Sequence, residues 1–367
     1  MKFNRLRNIL KCSCLLLISC SSQMPKEHII LPESQTADTG RVESLSSNPV
    51  KMNPWKGIKI HLGEKGITRP PKPLPADAVD IKKAFPEEQT GLYVTWLGHS
   101  TILMQVDGVR ILIDPVFSYN ISPVPLISIK RFQKEIPVKL EELPFIDAVF
   151  ISHNHRDHLD RQTITDLAPN VGYFLVPMGV ASILQEWGVD SAKVREYSWW
   201  QEASVKGLSG QILKFVCTPA RHFSGRGLTD WNKTLWASWV FIGSKHRVFY
   251  SGDTSYSFHF RQIGYHYGPF DLALMENGQY SIHWPDSHIM PEDGIKAFME
   301  LNGKYMLPVH WGSFNLSIHD WWEPIERASK EAQEKGVNLL TPSVGQTLSI
   351  DENPQTSPWW RSFIPLK

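Results

Sequence analysis

The segment Ile151-Ser152-His153-Asn154-His155-Arg156-Asp157-His158-Leu159-Asp160 packs three imidazoles and a carboxylate between positions 153 and 158. Burying such groups for packing alone is unfavourable, because each polar atom needs a partner. A cation that draws them together removes the difficulty. Imidazole nitrogen and carboxylate oxygen are ligands zinc takes, thiolate being the other usual one. His153, His155 and Asp157 alternate, so in an extended segment they point the same way, and His158 begins a turn away. One short loop can thus serve two neighbouring metals. Three further candidates each follow an apolar run: His222 after Phe215-Val216-Cys217-Thr218, Asp253 after Val248-Phe249-Tyr250-Ser251-Gly252, and His310 after Met306-Leu307-Pro308-Val309. Taken singly, each reads as a satisfied polar residue; beside the cluster, each reads as a ligand. Gly252 permits the tight turn that Asp253 needs, and loops at one rim of a sheet can converge on one spot.

The elements that must position these residues are legible as short apolar runs. Leu92 to Trp96, Thr101 to Val106 and Val109 to Ile113 read as strands, with Asp107-Gly108 as a hairpin turn. Asp147 to Ser152 reads as a strand that runs into the histidine cluster, and Leu159 to Leu167 as the helix after it. Gln211 to Thr218, Arg247 to Ser251 and Lys304 to Val309 are further strands. Pro291 to Leu301, with Pro and two acids at its start, and Pro324 to Lys335 are helices. Strands first, then strands mixed with helices, argue an α/β sandwich with sheets inside and helices outside.

The His-x-His-x-Asp-His loop with the later His, Asp and His resembles the metallo-β-lactamase superfamily of binuclear metallohydrolases. Trp96-Leu97-Gly98-His99-Ser100-Thr101, Leu112-Ile113-Asp114-Pro115-Val116-Phe117, Gly252-Asp253-Thr254, Tyr267-Gly268-Pro269-Phe270-Asp271-Leu272 and His310-Trp311-Gly312 are similar to its N-acylphosphatidylethanolamine-hydrolysing phospholipase D branch. The resemblance runs from about Asn53 to Gln346 and implies a four-layer αββα sandwich with the metals at its edge. It implies two zinc ions, with iron or manganese as alternatives. One would be held by His153, His155 and His222 and the other by Asp157, His158 and His310, with Asp253 bridging. It matches His288 to a histidine near the substrate phosphate and places Asp114 beneath the metal loops, where a plain turn residue before Pro115 is the alternative. His99, at a turn, reads as structural. Asp160 reads as an early helix residue, with support of a ligand histidine as the alternative. The chain departs from the branch at Met275-Glu276-Asn277-Gly278-Gln279-Tyr280 and at Ser287-His288-Ile289-Met290-Pro291. Glu276 is therefore open: a pocket acid or outer support of the centre, or an exposed loop carboxylate.

Two cations about 3.5–4 Å apart can share a water and lower its pKa. The implied reaction is attack of the bridging hydroxide, oriented by Asp157, on a phosphodiester, with His288 touching the phosphate or the leaving group. For the phospholipid substrate the products are N-acylethanolamine and phosphatidic acid. Alternatives are a small soluble lactone, cyclic phosphate or ester as substrate, or a non-enzymatic anchored metal- or partner-binding lipoprotein.

Composition bounds the rest. In 367 residues Lys plus Arg is 38 and Asp plus Glu is 37, so no global excess of positive charge points to nucleic acid. Residues 1–19 read as a lipoprotein signal peptide: a basic leader, a short apolar run, and Leu17-Ile18-Ser19 before Cys20, the expected lipidation site. Residues 20–50 read as a lipidated tether, 51–90 as an extended arm, 91–350 as the hydrolase domain and 351–367 as a tail. The expected location is a bacterial cell envelope, anchored by acyl chains, with the outer membrane favoured over the inner because no acid follows Cys20. Trp199-Trp200, Trp321-Trp322 and Trp359-Trp360 read as core or rim packing, with a lipid interface as the alternative. The resembled phospholipases imply a homodimer.

Overall fold

The computed structural model describes residues 66–87, 90–122, 128–227 and 229–365. The expected signal peptide, Cys20, the tether and positions 51–65 of the arm lie outside the described residues. Two sheets form the centre. The first contains β1 (Leu92–Trp96), β2 (Ile102–Val106), β3 (Val109–Ile113), β4 (Ile146–Phe150), β5 (Val171–Pro177), β6 (Val194–Tyr197) and, at its other edge beside β1, β13 (Thr347–Ser349). The second contains β7 (Glu202–Lys206), β8 (Ile212–Thr218), β9 (Ser238–Ile242), β10 (Arg247–Tyr250), β11 (Phe270–Glu276) and β12 (Gly303–Val309), adjacent in that order.

Period-two alternation sorts the side chains of these strands into layers. Ile111, Ile113, Ala148 and Phe150 join a core that includes Phe215, Trp239, Phe241 and Leu274 of the second sheet. Phe150 meets Phe241 at 4.7 Å and Phe215 at 5.2 Å between ring centroids. Leu112 and Val149, one residue out of phase, pack instead with Ile164 and Leu167 of α2 (Arg161–Leu167) and Leu184 of α3 (Val180–Glu186). Ala84 of the short helix α1 (Ile81–Ala84) joins them. Phe249, Ala273 and Met306 on the far face pack with Phe260 of α4 (His259–Tyr267), Phe298 of α5 (Pro291–Glu300) and Ala332 of α6 (Glu323–Lys335). The result is the expected αββα order of layers.

Several expected boundaries shift for local reasons. β4 stops at Phe150 because the next backbone donors are taken up outside the ladder with β3. Ile151 N–H donates to Leu175 O at 3.1 Å, and Ser152 N–H to the Asp114 carboxylate at 2.7 Å. α2 starts at Arg161, and Asp160 ahead of it accepts from Ser118 N at 3.0 Å and Thr163 Oγ1 at 2.5 Å. Leu74 of the expected arm and Trp360 of the expected tail are buried in the core, so both segments belong to the folded unit. Trp199, Trp321 and Trp360 are almost wholly buried, and Trp200, Trp322 and Trp359 pack on the same core. That is the core-packing reading; a lipid interface built on these pairs is ruled out for the three buried rings.

β3 and β4 run parallel, as do β10, β11 and β12. β8 is antiparallel to β9 and β9 to β10, so β8 points the same way as β10. Within each sheet the C-terminal ends of these strands lie on one side, and the seven candidate ligands follow β4, β8, β10 and β12.

Candidate metal centre

The loop after β4 carries His153, His155, Asp157 and His158, and the loops after β8, β10 and β12 bring His222, Asp253 and His310 to it. His153 Nε2 lies 2.8 Å and His222 Nε2 3.2 Å from His155 Nδ1, and Asp253 Oδ2 lies 3.8 Å from both Nε2 atoms. Asp157 Oδ2 lies 3.3 Å from His310 Nε2 and 3.5 Å from His158 Nε2. Asp253 reaches this second group as well, its Oδ1 3.1 Å from His158 Nε2 and its Oδ2 3.2 Å from His310 Nε2. The geometry thus sorts the seven residues into two clusters with one shared carboxylate. In each, the ligand atoms lie within 4.8 Å of one another: His153, His155, His222 and Asp253 in one; His99, Asp157, His158 and His310 in the other.

Backbone shape at the rim is unusual. His99, Asp114 and His310 all have positive φ, at 53°, 40° and 65°, a region costly for side chains other than glycine. Such conformations persist where surrounding structure imposes them, often at functional sites. At Gly252, with φ 56°, a side chain does not fit: a Cβ there would meet Ala237 O at 2.6 Å and Ser152 Cβ at 2.9 Å.

Behind the cluster, Asp114 is a hub. It accepts from Ser152 N at 2.7 Å, Ser152 Oγ at 2.5 Å and Tyr250 OH at 2.5 Å, and pairs with His158 Nδ1 at 2.7 Å. This is the place beneath the loops that the resemblance implies. His222 Nδ1 lies 2.7 Å from Ser287 O, an acceptor only, so its Nε2 is the nitrogen offered to the centre. Fixing the outer ring nitrogen in this way orients a ligand histidine. Asp160 takes no part; it braces the helix start.

Two residues stand apart from their sequence reading. His99 is fully buried with Nε2 2.9 Å from Asp157 Oδ2, so the turn histidine also supports the second cluster. Its one signal in the sequence is the Gly98-His99-Ser100-Thr101 segment after a strand. Glu276 is wholly buried at the end of β11, which removes the exposed-loop alternative. Its Oε2 accepts from Thr254 N at 2.5 Å, its Oε1 pairs with His288 Nδ1, and Oε1 lies 3.4 Å from His310 Nδ1. His288 reaches the rim beside the first cluster, its ring 5.1 Å from that of His222, with Nδ1 4.0 Å from Asp253 Oδ2.

Burial pushes the His153 and His222 imidazoles well below their usual range, and His155 down to about 4. Burial pulls the same way at His158 and His310, but carboxylates together outweigh it, Asp253 and Asp157 at both, Asp114 also at His158 and Glu276 also at His310, leaving His158 well above its usual range and His310 at about 10. Burial opposes ionisation of Asp157 and Asp253, yet the surrounding histidines together, His158 and His310 foremost, hold both carboxyls well below normal. The ionised carboxylates and the neutral His153, His155 and His222 are already in the protonation states that metal ligation needs, whereas His158 and His310 would give up a proton to a bound cation.

The donor set fits divalent cations. His158 Nε2 and Asp253 Oδ1 are buried and lie 3.1 Å apart without the alignment of a hydrogen bond, and neither has another hydrogen-bond partner among the described residues. Buried polar atoms left so cost about 1–3 kcal/mol each. A cation between the nitrogens and oxygens satisfies both at once.

Comparison with known proteins agrees. Residues 109–311 match the family described as Beta-lactamase superfamily domain. The chain is 40% identical over 332 residues to an uncharacterised Mycobacterium tuberculosis protein, covering 88% of this chain and 84% of that one. It is 33% identical over 344 residues to N-acyl-phosphatidylethanolamine-hydrolyzing phospholipase D 1 of Caenorhabditis elegans, covering 86% of this chain and 95% of the relative. A metallo hydrolase from the hyperthermophilic archaeon Ignicoccus hospitalis shares the fold at TM-score 0.52 and 22% identity, over 71% of this chain and 98% of that one. The two-sheet sandwich, the rim of histidines and carboxylates and these relatives lead to one conclusion: the chain belongs to the metallo-β-lactamase superfamily of metal-dependent hydrolases, in the branch of the N-acyl-phosphatidylethanolamine-hydrolyzing phospholipases D.

Proposed function

We propose that the protein is a zinc-dependent phosphodiesterase of phospholipase D type, hydrolysing N-acylphosphatidylethanolamine or a related lipid to N-acylethanolamine and phosphatidic acid. The observation that carries the reading is Asp253, whose two oxygens lie 3.1 Å from His158 Nε2 and 3.2 Å from His310 Nε2 while it also belongs to the cluster of His153, His155 and His222. His153, His155 and His222 would hold one cation and Asp157, His158 and His310 the other, with Asp253 within reach of both. When bound, the pair supplies positive charge for the phosphoryl oxygens and acidifies a water. Asp157, whose side chain keeps 12% of its surface exposed, orients the attacking water from the open side. His288, with 15% of its side chain exposed, contacts the phosphate or gives the departing alcohol its proton. Water oxygen joins phosphorus, the bond from phosphorus to the ethanolamide oxygen breaks, and a proton ends on that oxygen.

The relative in Caenorhabditis elegans supports the lipid substrate by its name, and acylation of Cys20 would hold the hydrolase beside its membrane substrate. The test is hydrolysis of diacyl N-acylphosphatidylethanolamine by the purified chain, compared with p-nitrophenyl phosphodiesters and lactones. Release of N-acylethanolamine and phosphatidic acid is expected. Turnover confined to the small compounds would refute the lipid reading and leave a metallohydrolase of small soluble electrophiles. Cys20→Ser is expected to move the protein from the membrane to the soluble fraction; unchanged membrane association would refute the anchor.

A further inference from the structure

We infer that Glu276 is a positioning residue: it fixes which nitrogen of His288 faces the substrate. The inference rests on the proposed contact between His288 and the phosphodiester. Glu276 is wholly buried, and both its oxygens meet nitrogen. Oε2 accepts from the Thr254 peptide N–H at 2.5 Å, and Oε1 pairs with His288 Nδ1. A carboxylate can only accept, so Nδ1 of His288 must carry a proton. The nitrogen left for the substrate is then Nε2, in either charge state of the ring. The ring is held from its sides by His222 at 5.1 Å and His310 at 5.4 Å between centroids, so the hydrogen bond sets its rotation within an already narrow slot.

A carboxylate is specifically required here. Glutamine offers one oxygen and one NH₂. The Thr254 peptide can only donate, so it takes the amide oxygen of a glutamine, and the NH₂ faces His288 Nδ1. That nitrogen must then accept, and the neutral ring carries its proton on Nε2. Glu276→Gln is therefore expected to invert the His288 tautomer with little change in shape.

Asp253, Glu276, His288 and His310 also place one ligand atom each within 4.8 Å of one another, so direct ligation of a cation by Glu276 is the competing arrangement. Both are read on the zinc-loaded full chain labelled with ¹⁵N-histidine, with His288→Gln identifying the resonance. In the wild type, the expected signal is a protonated Nδ1 on His288; a proton confined to Nε2 would overturn the inference without need of any Glu276 variant. Glu276→Gln is expected to keep the wild-type metal content, move the proton to Nε2 and lower kcat about 10–100-fold, the usual range for an outer-sphere partner, with KM little changed. In the His288→Gln background it should cost nothing further, because it acts through that ring. Loss of metal from Glu276→Gln, or losses that multiply in the double variant, would overturn the assignment. The tautomer is independent of substrate, so a chain inactive on phosphodiesters would refute the proposed function while still deciding the role of Glu276.

Discussion

Buried histidine meets carboxylate at both ends of the β2–β3 hairpin, and the two places differ in how their polar atoms are satisfied. At the turn end, His246 pairs through Nδ1 with Asp107 at 2.7 Å and through Nε2 with Asp351 at 2.9 Å. Asp107 further accepts from the Lys245 and His246 peptides at 2.7 and 3.0 Å. One imidazole faces two carboxylates and every ring nitrogen is used, so the group works as a clamp tying the hairpin turn to the β9–β10 turn and to the residues after β13. At the rim, imidazoles outnumber carboxylates, nitrogens face nitrogens, and His158 Nε2 and Asp253 Oδ1, 3.1 Å apart, are aligned for a hydrogen bond neither with each other nor with another of the described residues. Histidine and acid in proximity do not by themselves mark a metal centre. An excess of lone pairs over protons does.

Breaking the rim should have the largest effect. Asp253→Ala removes the shared carboxylate; the cations' stabilisation of charge is worth several kcal/mol, so a fall in kcat/KM of about 10³-fold or more is expected, together with loss of bound metal. Retained metal and activity would remove the basis for a shared ligand. Asp114→Asn tests the layer beneath. The amide must turn its NH₂ toward donors on at least one side, so metal affinity or activity is expected to fall about 10–100-fold, measured by chelator competition; an unchanged affinity would make Asp114 a mere turn residue.

The clamp should respond to pH and not to metal. Hydrogen bonding to Asp107 raises His246 to about 9, above its ordinary value. Its contribution is therefore complete below about pH 6.5 and disappears as pH rises through about 9. Asp107, lowered by its bonds to His246 and backbone despite burial, contributes above its ordinary carboxyl range and loses this as pH falls below it. His246→Gln is expected to cost about 2 kcal/mol at pH 6 and less at pH 10, read from urea unfolding; a constant difference across that range would contradict the assignment. The smallest effect is the sharpest for the comparison. Chelation should lower the melting temperature of the protein yet leave this pH-dependent difference between wild type and His246→Gln within about 0.5 kcal/mol; a larger change would mean that the two ends are coupled.

How much of this was legible before folding follows from where the signal lies. β1 and β3 coincide with their expected ranges because Leu92–Trp96 and Val109–Ile113 are bounded by turn residues. No strand is read from the sequence at β5, β6, β7, β9, β11 or β13. Phe270-Asp271-Leu272-Ala273-Leu274-Met275 of β11 is a near-continuous apolar run between two parallel neighbours, and such strands, buried on both faces, lose the alternation that reveals a strand. The seven candidate ligands were legible because residue type and local spacing carry the information. Ser152, Tyr250 and His99 were not, since a serine, a tyrosine and a turn histidine acquire their roles only when β3, β4, β10 and the turn before β2 close on Asp114 and Asp157. Glu276 was legible as a departure but not as a buried partner of His288, because its burial depends on β11 lying between β10 and β12.

The most direct test is elemental analysis of the full chain purified without chelator, alongside Asp253→Ala. Two equivalents of divalent transition metal per wild-type chain, and a clear deficit in the variant, are predicted. A wild-type chain that binds none, before or after incubation with zinc, iron or manganese, would contradict the dinuclear centre on which the proposed hydrolysis depends.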